Sequence, residues 1–179
     1  WVRRAVVQRV FPNQLAVKLE EHEEVAYWGK SDANQLRLLN RQGEVFAGDP
    51  NEATQSDLPF LSGPDTQSAN VLLTYRHWVP LFKTLNAQIT ALDMDARGSW
   101  SVVLNEATHL NVGTGTEQEL AARINQFIQT VNPIMARYQR SFADLEYADL
   151  RYKTGYALRM RGVTTVDSKE ASRKQPATH

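Results

Sequence analysis

LEYADLRYKTGYALRM, residues 145–160, decides how this chain is read. In its first half Ala148, Leu150 and Tyr152 alternate with Tyr147, Asp149 and Arg151. In its second half Tyr156, Leu158 and Met160 alternate with Ala157, Arg159 and Arg161. A period of two marks half-buried strands. Lys153-Thr154-Gly155 lies between the halves, and Gly155 can take the positive φ that a short hairpin loop demands. The predicted element is a β-hairpin. Beyond Arg161 the chain turns polar and offers no further strand, which makes 156–160 a candidate sheet edge with unpaired backbone groups. Pattern alone leaves two readings of such a hairpin open: it closes the fold, or it receives a partner.

Upstream of the hairpin, Leu120, Ile124, Phe127, Ile128, Val131, Met135 and Tyr138 form an apolar stripe at helical spacing. Thr116-Glu117-Gln118-Glu119 reads as its capping box, and Asn132-Pro133 is expected to kink it. Gly113-Thr114-Gly115 precedes that helix. A glycine loop at a helix N-terminus can hold phosphate, but this one lacks the lysine and spacing of a P-loop, and a tight strand-to-helix turn is the simpler reading. Before it, residues 88–112 read as strands: Trp100, Val102 and Leu104 alternate, Leu110 and Val112 face inward again, and Arg97-Gly98 and Asn105-Glu106 supply turns. Residues 68–86 carry a second helical stripe, Val71, Leu72, Tyr75, Trp78, Val79, Phe82 and Leu85, with Ser68 as N-cap and Pro80 interrupting.

The first third is strand-like. Val2, Val6 and Val10 lead into a turn at Phe11-Pro12-Asn13-Gln14, and Leu15, Val17 and Leu19 return. Two strands alone make no core, so this hairpin is expected to be the tail end of a small domain whose earlier elements lie upstream. Val25-Ala26-Tyr27-Trp28-Gly29 continues extended, short strands near 36–39 and 44–46 flank a turn at Arg41-Gln42-Gly43, and 47–66 reads as loop. Strands in runs separated by two helices give an α+β class: a mainly antiparallel β-sheet with two helices packed on one face, preceded by a closing hairpin.

Composition narrows the function. The 179 residues carry 20 basic and 20 acidic side chains, a balance that argues against nucleic acid as a partner. Absence of cysteine removes disulfides and thiolate chemistry. No run approaches the roughly 18 apolar residues of a membrane span. His22, among Glu20, Glu21, Glu23 and Glu24, reads as a solvated strand end rather than a metal site, because neighbouring residues do not converge as separated ligands do. Asp93, Asp95 and His109 are the candidate acid–base groups, but no nucleophile with base and orienter stands at a recognisable spacing. Neither a cofactor nor a metal is expected.

Four local patterns carry a resemblance. They are Val7-Gln8-Arg9-Val10-Phe11-Pro12 with Leu15, Val17 and Glu21-His22; Val25-Ala26-Tyr27-Trp28; Arg97-Gly98-Ser99-Trp100 with Leu110-Asn111-Val112-Gly113; and Asp149-Leu150-Arg151-Tyr152 with Gly155. In order and spacing the chain resembles the periplasmic part of the bacterial FtsQ/DivIB cell-division family. It departs where the family often has Trp (here Phe11) and Pro (here Glu24). The resemblance implies the closing hairpin of a POTRA domain at 1–24, a β domain at 25–161 and a polar, disordered tail at 162–179. It implies a non-enzymatic divisome scaffold in the inner membrane, anchored by a single upstream span, with this region in the periplasm. The implied partners are FtsB and FtsL, with other divisome proteins as further candidates. FtsB would add a strand to the last β-strand, its preceding helix lying near a basic residue of the sheet. By motif position, Arg151, Tyr152, Thr154, Gly155, Tyr156, Ala157 and Leu158 carry over as the binding strip, and Arg97 as a second contact. The alternatives are a POTRA-type module of a transport or secretion system, which requires further POTRA repeats or a β-barrel, and a hydrolase, which requires a deep pocket holding His109 with Asp93 or Asp95.

Overall fold

Two amphipathic helices hold the core together. The computed structural model describes residues 1–30, 36–48, 57–152 and 155–162. Helix α1 (Ser68–Lys83) buries Val71, Leu72, Trp78 and Phe82, and α2 (Glu117–Arg137) buries Leu120, Ile124, Phe127, Val131 and Met135. Each such side chain contributes on the order of 1.5–3 kcal/mol on leaving water. The expected capping box of α2 is formed: Thr116 Oγ1 accepts from the Glu119 amide at 3.3 Å, and Glu119 accepts from the Thr116 amide at 2.7 Å. Pro80 and Pro133 both lie inside their helices. Ser68 does not cap α1. A 3-10 turn, Asp65–Gln67, precedes the helix, and the buried Ser68 hydroxyl instead donates to the Gly43 carbonyl at 2.7 Å.

Both helices lie against one face of a nine-stranded sheet, α1 over its middle and α2 toward one end, and they touch each other. The strands are β3 (Glu24–Trp28), β4 (Arg37–Asn40), β5 (Val45–Phe46), β6 (Phe60–Ser62), β7 (Ile89–Met94), β8 (Trp100–Leu104), β9 (Thr108–Gly113), β10 (Leu145–Asp149) and β11 (Ala157–Met160). Their order is β11-β10-β9-β8-β7-β6-β3-β4-β5. Five joints are antiparallel, as expected, and three are parallel: β3 with β6, β6 with β7, and β9 with β10. The last two parallel joints fall where a helix intervenes, because parallel neighbours need a long crossover. Strand β6 lies inside the stretch expected to be loop. Its three residues sit between parallel neighbours on both sides and bury Leu61.

Among the described residues the N-terminal strands β1 (Val2–Val10) and β2 (Gln14–Glu21) pair only with each other, and nearly all of their residues are exposed. The base of this hairpin is tied to the sheet. Arg3 donates to both carboxylate oxygens of Glu44, at 2.7 and 3.0 Å. Glu44 also accepts from Asn40, whose amide group donates as well to His22 Nδ1 at 2.9 Å. Asn40 Oδ1 accepts from the amides of Gln42 and Glu44, so this fully buried side chain makes four hydrogen bonds. The run around His22 is therefore not a freely solvated strand end: the imidazole stacks on Phe46 at 4.2 Å and Glu24 is buried. In the neighbouring turn Gly43 has φ +84°, and a Cβ there would lie 2.6 Å from the Ala69 Cα, so both backbone conformation and close approach call for glycine.

Candidate partner-binding edge

The terminal hairpin differs from its sequence reading in one respect that shapes the site. Strand β10 pairs with β11 only from Leu145↔Met160 to Asp149↔Ala157, with an irregularity at Glu146. The connection is thus 150–156, longer than the expected three residues. Gly155 does not adopt a positive φ, because no tight turn is required of it. Leu150 is buried, but by the strand on its other side: its amide donates to the Asn111 carbonyl at 2.8 Å, continuing the parallel alignment with β9. Tyr152, expected to point inward with Leu150, is 59% exposed. Lys153, Thr154 and the tail beyond Gly162 lie outside the described residues.

Among the described residues β11 is the outermost strand of the sheet. Leu158 and Met160 pack against the core while Ala157 and Arg159 face solvent. The Tyr156 ring also faces inward, meeting Phe127 edge-on at 5.3 Å with its hydroxyl 2.6 Å from Thr130 Oγ1. Arg161 donates its amide back to the Asp144 carbonyl. Alternation along the strand then turns the amides of Arg159 and Ala157 toward β10, and those of Leu158 and Met160 toward the open side. On the helix-free face Arg159 lies over the Tyr147 ring at 5.5 Å and pairs with Glu146 at 3.0 Å.

Arg151 sits just past β10. Its Nε and Nη2 donate to the two oxygens of Asp149, at 2.9 and 2.6 Å, and its amide donates to the same carboxylate at 3.1 Å. The guanidinium holds the Asp149 carboxyl below the usual carboxylate range. Arg97 is exposed on the β7–β8 turn. Pairing of Trp100 with Gly113 and the parallel run of β9 and β10 place that turn and the 150–156 connection at the same end of the sheet. The structure thus gathers Arg151, Tyr152, Gly155, Tyr156, Ala157 and Leu158 at one corner, with Tyr156 turned toward the core, and sets Arg97 at the same end of the sheet but several strands away.

The candidate acid–base groups take other roles. Asp95 Oδ1 accepts from the amides of Arg97 and Ser99 and shapes the β7–β8 turn, which holds its pKa low. Asp93 accepts from the Ser62 hydroxyl at 2.5 Å. Both line one shallow depression of the helix-free face with His109. Asp93 is aligned with Ser101 and Asn111, two strands across and two residues along from His109. Strand spacing and rise then separate the Asp93 and His109 Cα atoms by roughly 12 Å, too far for a direct proton relay. Among the described residues no three His, Asp or Glu side chains converge as metal ligands. The residues that sequence reasoning passed over are Asp149 and Gly113, which hold Arg151; the D-x-R spacing at a strand end was the available signal.

Known proteins give this geometry its class. The C-terminal region of cell division protein FtsQ/DivIB matches residues 26–151. Cell division protein FtsQ of Thiomonas arsenitoxydans is 34% identical over 177 residues, 98% of this chain and 64% of the relative. That of Coxiella burnetii is 32% identical over 161 residues, covering 90% and 61%. That of Shewanella oneidensis is 35% identical over 158 residues, covering 88% and 55%. The helix-backed sheet is thus a domain of a bacterial cell-division protein. The chain belongs to the FtsQ/DivIB family, and it spans 55–64% of the length of these relatives.

Proposed function

We propose that this chain is a non-enzymatic scaffold of the division machinery that binds the periplasmic parts of FtsB and FtsL through β11. The observation that carries the reading is the position of β11, last in the sheet with one side of its backbone unpaired among the described residues. β-Augmentation needs such an edge, and it needs side chains beside it that select the partner. Arg151 and Arg97, at the end of the sheet where β11 begins, suit an acidic segment. No helix among the described residues is long and apolar enough to cross a membrane. In this reading an upstream segment anchors the protein in the inner membrane, residues 1–24 close a preceding POTRA domain, and 25–161 form the binding domain.

The test is calorimetric titration with the periplasmic segment of FtsB. Arg151→Glu should weaken binding by about 2–5 kcal/mol where the arginine becomes desolvated against a carboxylate, with an unchanged circular dichroism spectrum. Full affinity in a folded Arg151→Glu variant contradicts the assignment of this corner.

A further inference from the structure

We propose that Asp149 and Gly113 are positioning residues that set the guanidinium of Arg151 in place before a partner carboxylate arrives. The inference rests on the edge-strand reading above and concerns how that edge selects its partner. The Asp149 side chain is 8% exposed and the Arg151 side chain 57%. The buried carboxylate takes Nε and Nη2 on one side of the planar fork, which leaves both Nη1 protons and one on Nη2 for an incoming group. Gly113 supplies the second constraint. A Cβ at Gly113 would lie 2.6 Å from Arg151 Cγ and 3.2 Å from Cδ, so the aliphatic stem runs directly across a backbone without a side chain. Gly113 also has φ +83°, and Arg123 fixes the local backbone by donating to the Val112 and Thr114 carbonyls at 3.0 and 2.8 Å. Stem and fork are thus both held. An arginine held in one conformer loses less freedom on binding, and its planar fork meets one carboxylate in a way lysine does not reproduce.

Positioning and charge make opposite predictions. Asp149 neutralises Arg151, so if charge alone mattered, Asp149→Asn would tighten binding of an acidic segment. Positioning requires that it weaken binding, and only through Arg151. The experiment is a double-mutant cycle of Asp149→Asn with Arg151→Met, titrated with the periplasmic FtsB segment. Gly113→Ala is run in the same cycle, so that one arm stands if Asp149→Asn fails to fold. The expected result is roughly tenfold weaker binding for Asp149→Asn or Gly113→Ala, with no further loss in the Arg151→Met background. Tighter binding, or an equal loss in both backgrounds, overturns the inference while leaving the edge intact. Unchanged affinity in Arg151→Met alone overturns the role of Arg151 in the functional reading, and this inference with it.

Discussion

The hydroxyls of Tyr156 and Thr130 lie 2.6 Å apart, joining the residue that enters the edge strand to the middle of α2. Thr130 donates to the Gln126 carbonyl, so the tyrosine is the donor in this pair. The ring is committed to the core against Phe127, and Tyr156 contributes its backbone, rather than its side chain, to the edge.

Tyr156→Phe should therefore lower stability by about 0.5–1.5 kcal/mol, the net worth of one hydrogen bond, and leave partner affinity unchanged. Thermal unfolding and calorimetry measure the two effects. Lower affinity with unchanged stability would mean that the hydroxyl touches the partner.

Asn40 is the hub between the N-terminal hairpin and the sheet. Asn40→Ala removes four hydrogen bonds of a fully buried side chain, among them the link from His22 to Glu44; the net worth of each is about 0.5–1.5 kcal/mol. The urea midpoint should fall accordingly. Arg3→Ala leaves the hub intact but removes the tie from Arg3 to Glu44 at the hairpin base, so limited proteolysis should remove β1–β2 sooner than in the parent protein, with the sheet resistant in both. A hairpin cleaved at an unchanged rate would show that Arg3 does not hold it.

Of the carboxylates held low in the folded state, Glu44 and Asp65 are lowered furthest. Arg3 and Asn40 lower the Glu44 carboxyl from 4.5 to about 2, and Arg37 with the Trp28 indole lowers Asp65 from 3.8 to about 2. A folded-state pKa below the unfolded one gives stability that is full above the unfolded value and lost as pH falls through the folded value. Stability should accordingly drop between pH 4.5 and about 2. Arg3→Met with Arg37→Met should flatten that drop in urea titrations across the window. Equal slopes in parent and double variant would assign the acid sensitivity to other groups.

The helical stripes of α1 and α2, the capping box and the β7–β9 meander were legible because each repeats a 3.6- or 2-residue period over several turns or strands. Strand β6 was not: three residues within a Gly-, Pro- and Asp-rich stretch carry no period, and what makes them a strand is parallel pairing on both sides. The last hairpin was legible as a hairpin but not in its length. Leu150 continues the alternation of β10, yet it is β9 that pairs with it, so the inward pattern runs past the point where β11 pairs. Of the candidate site, the arginines and the edge could be placed from sequence. The Asp149 clamp had only its D-x-R spacing as a signal, and the Gly113 saddle had none, because it depends on which strand lies beside β10.

Whether β11 accepts a strand is decided most directly at Leu158. Its amide faces the open side, so Leu158→Pro removes a donor that β10 does not use; proline is tolerated at such edges. Leu158→Ala controls for the lost side chain. Calorimetric titration of both variants with the periplasmic FtsB segment, with circular dichroism verifying the fold, should show Leu158→Pro binding at least about tenfold more weakly than Leu158→Ala. Equal affinity in the two folded variants would contradict strand addition at this edge.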